Sequence, residues 1–131
     1  MRRAGFTLIE ALAAVAILSV ALVVLIQSQT QSIGNVLRVK HYERAVYITE
    51  NQLHWTFLDL NEAEDWREYS DLSGEDGDYN WNVRISLWES DSQGGTDVEL
   101  LRIISTTTWV EAGYERDFQL ETFYLWGQGN L

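Results

Sequence analysis

Between Phe6 and Ile26 the chain runs for 21 residues with a single ionisable group, Glu10, and two hydroxyls, Thr7 and Ser19. At about 1.5 Å per residue, a helix of this length crosses the roughly 30 Å hydrocarbon core of a bilayer. Arg2 and Arg3 precede the run, and a positive flank stays on the cytoplasmic side, so the remainder of the chain is expected outside. A cleavable secretory signal fits less well. Its small-residue pattern, Ala14-Val15-Ala16, falls inside the apolar run, and Gln27-Ser28-Gln29 beyond it offers no convincing site. Glu10 is also out of place in such a segment. A carboxylate costs roughly 2.5–3.5 kcal/mol near the centre of a membrane helix and less near its end, so its presence calls for a partner.

Beyond Ile26 the sequence turns polar without a proline to break the helix. Helical spacing resumes at Ile33, Val36 and Leu37 and continues through Tyr42, Val46, Thr49, Leu53, Phe57 and Leu60. One long helix is expected, its first part in the membrane (6–26) and its second part (27–60) laying an apolar stripe on a soluble head. Gly34 is its weak point, since glycine costs about 1 kcal/mol relative to alanine in a helix interior. Residues 61–78 read as an acidic connector with turns at Gly74 and Gly77. From 79 to 131 the pattern alternates. Tyr79, Trp81, Val83, Ile85 and Leu87 share one face of a strand, with Asn80, Asn82, Arg84 and Ser86 opposite. A hairpin loop over Ser90–Asp97 leads to a second strand, about Val98–Val110. Glu111-Ala112-Gly113 turns into a third, about Phe118–Trp126. The fold class is α+β: a long N-terminal helix, its first half transmembrane, packed on a small antiparallel sheet.

Charge removes several functions. Nine Lys and Arg stand against 20 Asp and Glu, a net charge of −11, which opposes nucleic-acid binding because phosphate neutralisation needs cations. Without cysteine there is no disulfide framework and no thiolate metal site. His41 and His54 lack zinc spacing and read as ordinary surface or core residues. Asp76-x-Asp78-x-Asn80 alternates oxygen ligands, but Trp81 stands where a calcium loop needs glycine and Leu87 where it needs glutamate, so no metal and no cofactor are expected. No nucleophile motif surrounds any serine or aspartate, and no enzyme activity is expected.

Gly5-Phe6-Thr7-Leu8-Ile9-Glu10, behind a basic leader (1–5) and ahead of an apolar helix, resembles the prepilin peptidase site of type IV pilins and type II secretion pseudopilins. The resemblance implies cleavage between Gly5 and Phe6, N-methylation of Phe6, and an assembly role for Glu10. Downstream, Glu50-Asn51-Gln52-Leu53, Gly77-Asp78-Tyr79-Asn80-Trp81-Asn82-Val83, Leu101-Arg102-Ile103 with Trp109, and Phe118-Gln119-Leu120-Glu121-Thr122 are similar to elements of the I-type minor pseudopilin. That branch often has proline after the helix, and this chain has none. The resemblance implies a single-pass inner-membrane protein with a periplasmic head. Such a protein joins J-type and K-type minor pseudopilins at the tip of a pseudopilus extended by the inner-membrane assembly platform. Two alternatives stand beside it: a minor pilin of a type IV pilus, and a signal-anchored periplasmic binding module. Tyr42, Val46, Leu53 and Phe57 on the helix, with Trp88 on the sheet, are the expected partner contacts; Trp81 is expected in the core.

Overall fold

The computed structural model describes residues 5–91 and 97–127. It comprises two units, residues 1–39 and 40–131. One helix, α1 (Leu8–Glu62), continues without a break through Gly34. Among the described residues four strands follow: β1 (Asp71–Asp76), β2 (Tyr79–Asp91), β3 (Val98–Glu111) and β4 (Tyr114–Gly127). They form an antiparallel sheet in the order β1-β2-β3-β4.

In the first unit, α1 opens on a reciprocal cap. Glu10 N–H donates to Thr7 Oγ1 at 3.3 Å, and Thr7 N–H donates to Glu10 Oε2 at 3.0 Å. This is a capping box, in which two of the first-turn donors are satisfied by side chains. The hydroxyls farther along are satisfied within the helix. Ser19 Oγ donates to the Val15 carbonyl at 2.7 Å and Thr30 Oγ1 to the Ile26 carbonyl at 3.0 Å, the arrangement an apolar surrounding requires. Among the described residues this is the helix long and apolar enough to cross a membrane.

In the second unit, the end of α1 lies across the sheet, giving the α+β layout of a pilin-like head. Contact is made by Ala45, Ile48, Thr49, Leu53, Thr56 and Leu60, all buried. Opposite them the inward residues of β3 are Leu101, Ile103, Ser105, Thr107 and Trp109. At the centre Thr49 Oγ1 donates to the Ala45 carbonyl at 2.8 Å and lies 2.7 Å from Thr107 Oγ1, and Ser105 Oγ donates to the Thr49 carbonyl at 3.2 Å. Small side chains let helix and strand approach closely, and each buried hydroxyl finds a partner, as burial demands. Toward the helix end the contact becomes an apolar cluster of Leu53, Leu60, Trp66, Val83, Ile85, Leu101 and Ile103.

The structure departs from the expected layout at two places. Residues 61–78 are more than a connector. They hold a 3₁₀ turn, Trp66–Tyr69, that buries Trp66 in the core, and then β1, paired with β2 from Asp71↔Arg84 to Asp76↔Tyr79. Asp-Leu-Ser-Gly-Glu-Asp has none of the branched residues that mark a strand, but an edge position lets its polar side chains stay in water. The second departure follows Leu87, which keeps the expected face opposite Leu101 but is 45% exposed: the register shifts between Leu87 and Glu89, leaving Trp88 as the extra residue of a bulge. The turn at Ala112-Gly113 lies as expected, whereas residues 92–96 of the expected loop lie outside the described residues.

Two substitutions in the head should move stability in opposite directions. A Cβ on Gly74 would meet Trp81 Cζ2 at 2.5 Å, so Gly74→Ala should cost about 1–3 kcal/mol. Ala112 holds φ at 50°, where a Cβ is unfavourable, so Ala112→Gly should stabilise by a few tenths to about 1 kcal/mol. Denaturant unfolding of both variants checks this.

Candidate functional site

The first surface to consider is on the helix. α1 beyond residue 40 has two apolar faces. The one just described lies under the sheet. The other, turned half-way round the helix, carries Tyr47, Trp55 and Leu58 at 58%, 55% and 46% exposure. His54 sits beside them, its ring edge-on to Trp55 with centroids 6.3 Å apart. Arg44 lies over the Tyr47 ring at 5.6 Å. Scattered exposed apolar residues need no explanation, but two aromatics and a leucine on one helical stripe form a surface suited to a second helix.

Four of the five expected partner residues lie on the face toward the sheet, with Tyr42 still 48% exposed. Leu53 is 8% exposed inside the core. Phe57 stacks on Tyr124 with centroids 5.7 Å apart, Val46 is half-buried, and Tyr42 meets Phe118 edge-on at 5.3 Å. Their spacing is that of the face toward the sheet. Tyr47, Trp55 and Leu58, at steps of eight and three, were equally visible in the sequence but were masked by the acidic and amide residues between them.

Trp88 is where it was expected, on the sheet face away from the helix, 57% exposed. Its ring packs edge-on against Phe123 at 5.5 Å, and Arg102 lies over it at 5.6 Å. Arg102 is held in turn by Glu121, Nε to Oε1 at 2.6 Å and Nη2 to Oε2 at 3.1 Å. The fork of hydrogen bonds from Arg102 holds the Glu121 carboxyl below the usual carboxylate range and raises Arg102.

The acidic residues are dispersed. Among the described residues no three His, Asp or Glu side chains converge as a metal site would need. Both carboxylate oxygens of Asp76, in the alternating Asp76-x-Asp78-x-Asn80 run, accept from Arg44 Nη2, at 2.9 and 3.0 Å. Asp65 caps the 3₁₀ turn, and hydrogen bonding from the Arg67 N–H lowers its carboxyl. His41 Nδ1 lies 2.9 Å from the Tyr79 hydroxyl, and burial raises that phenol.

At the N-terminus Gly5, Phe6 and Thr7 precede the helix, with Phe6 94% exposed and Glu10 in the first turn. The other leader residues lie outside the described residues. Residues 1–26 match the family model described as the prokaryotic N-terminal methylation motif. No curated protein and no solved structure matches the chain. The motif and the long helix over an antiparallel sheet agree in kind: a pilin-like chain, with an apolar N-terminal helix consistent with a single-pass membrane anchor.

The Glu121–Arg102 pair gives a pH test in this pilin-like head. A depressed native pKa adds stability above the unfolded value of about 4.3, lost as pH falls through the lower native value. In Arg102→Met, the Glu121 carboxyl carbon, followed by NMR, should titrate at higher pH than in the native chain, and the acid limb of the stability profile should flatten.

Proposed function

We propose that this chain is a minor pseudopilin of a type II secretion system, of the I-type, that helps to form and initiate the pseudopilus tip. The observation that carries the reading is the methylation motif of residues 1–26 on a helix whose later, water-exposed part keeps a second apolar face open. On this reading prepilin peptidase cuts between Gly5 and Phe6 and the new N-terminus is methylated. The helix sits in the inner membrane with the head in the periplasm, the orientation favoured by Arg2 and Arg3. J-type and K-type partners meet the stripe of Tyr47, Trp55 and Leu58, and the assembly platform extends the filament behind them. The role is structural.

Glu10 then has two tasks that can be separated. Its Oε2 closes the capping box, which leaves Oε1 to accept from the α-amine of a neighbouring chain's first residue. That amine, with an unperturbed pKa of about 7.7–8.0, stays basic after methylation. Burying either charge alone is costly, and pairing offsets the cost while fixing the axial stagger between helices. Glutamine at this position can still cap, but it cannot carry the charge.

Three outcomes follow. Intact mass of protein from a peptidase-bearing host should show loss of Met1–Gly5 and gain of one methyl group; an uncleaved product, or one cut after Ala16, would sink the assignment. In a deletion strain scored for secreted cargo, Glu10→Gln and Glu10→Leu should be inserted and cleaved yet impair secretion, with Glu10→Asp partly active. Full secretion with Glu10→Gln would reduce Glu10 to a helix cap. Trp55→Ala should weaken capture of a cognate J-type protein by roughly 2 kcal/mol or more, the scale of a buried aromatic anchor, whereas Trp88→Ala should not.

A further inference from the structure

The far edge of the sheet is open. β4 follows β3 through a two-residue turn with φ of 50° at Ala112 and 81° at Gly113, the signs of a type I′ turn. In such a hairpin the flanking pair, Glu111 and Tyr114, is hydrogen-bonded, and bonded and non-bonded pairs then alternate along the ladder. The even-numbered residues of β4 therefore bond to β3, and the odd-numbered ones from Glu115 to Gly127 turn their N–H and C=O outward. Among the described residues no strand lies on that side. The register runs unbroken from Val98↔Gly127 to Glu111↔Tyr114, and β4 has no proline, so neither a bulge nor a missing donor blunts the edge.

Side chains protect only part of it. The odd-numbered residues carry their side chains on the face away from the helix, where Glu115, Asp117 and Glu121 line the first part of the strand. Past Glu121 the character changes to Phe123 and Leu125, 46% and 69% exposed, with Trp88 against Phe123. Charge narrows the occupant. Residues 40–131 hold six Lys and Arg against nineteen Asp and Glu, a net of −13. A second copy would bring the same charge and be repelled, whereas a cationic segment would be drawn in.

From this geometry we infer that the last part of β4, Glu121–Gly127, takes up an extended, lysine- or arginine-bearing segment of a different protein as a fifth strand. Backbone hydrogen bonds to Phe123 and Leu125 supply the pairing, and alternate apolar side chains of the segment cover their rings and methyls. This surface is separate from the helix stripe and does not rest on the secretion reading.

The test uses the full chain in neutral detergent micelles and a fluorescein-labelled nine-residue peptide alternating valine and lysine, followed by anisotropy. Saturable binding is expected. It should weaken about tenfold or more when alternate peptide amides are N-methylated, and similarly when glutamate replaces lysine. Leu125→Pro should do the same, because its N–H faces the open edge and its loss removes no bond to β3. Unchanged amide exchange in β3 checks that the sheet is intact; if it is disturbed, the N-methylated peptide decides alone. Binding indifferent to N-methylation would mean charge adhesion without strand pairing, and no binding at all would remove the edge as a site. Equal binding of the glutamate peptide would overturn the cationic partner. Self-association of the chain abolished by Leu125→Pro would make the occupant a second copy, against the proposal.

Discussion

Helix α1 and strand β3 approach one another over hydroxyls and small side chains, and the rest of the head is arranged around that approach. Thr49 stands at its centre, bonded to Thr107 and, through its carbonyl, to Ser105. Such a network carries no large hydrophobic gain of its own. Its value is registry: a slide of one helical turn would leave buried hydroxyls without partners, at about 1–3 kcal/mol each. The apolar cluster around Leu53, Leu60 and Trp66 is then held in one position along the strands, and Trp66 reaches out to Glu99 at 2.6 Å to join the helix exit to β3. Specificity comes from the polar centre, and most of the burial energy comes from its apolar flank.

The same helix has to serve surroundings of opposite demand. Through residues 8–26 it is apolar on all sides, which suits lipid. In the head it is apolar on two faces and polar between them. One apolar face is enough to cover a four-stranded sheet. A second, aromatic one, carrying Tyr47, Trp55 and Leu58, stays exposed among the described residues.

Much of the architecture was legible in the residues, and the reasons for the rest are physical. The apolar run, the uninterrupted helix, the three long strands and the tight turn at Ala112-Gly113 all follow from periodicity and breakers. β1 was not visible because its polar residues are stabilised by pairing with β2, a tertiary fact. The bulge at Trp88 has no local signature: the alternation through Leu87 continues smoothly, and only pairing with Leu100 and Leu101 shows the slip. On the helix, Tyr42, Val46, Leu53 and Phe57 have the larger side chains, whereas close packing places Ala45, Thr49 and Thr56 at the centre. Size marks where area can be buried, but smallness decides where backbones meet. In the first turn the Thr-x-x-Glu spacing is itself a capping-box signature.

That first turn has a consequence for the energetics of the N-terminus. Every hydrogen bond of the capping box is made by residues on the C-terminal side of the Gly5–Phe6 bond. Helix nucleation is the expensive step of helix formation, and here its closure borrows nothing from the residues ahead of it. Shortening the chain up to Phe6 therefore removes none of the capping hydrogen bonds.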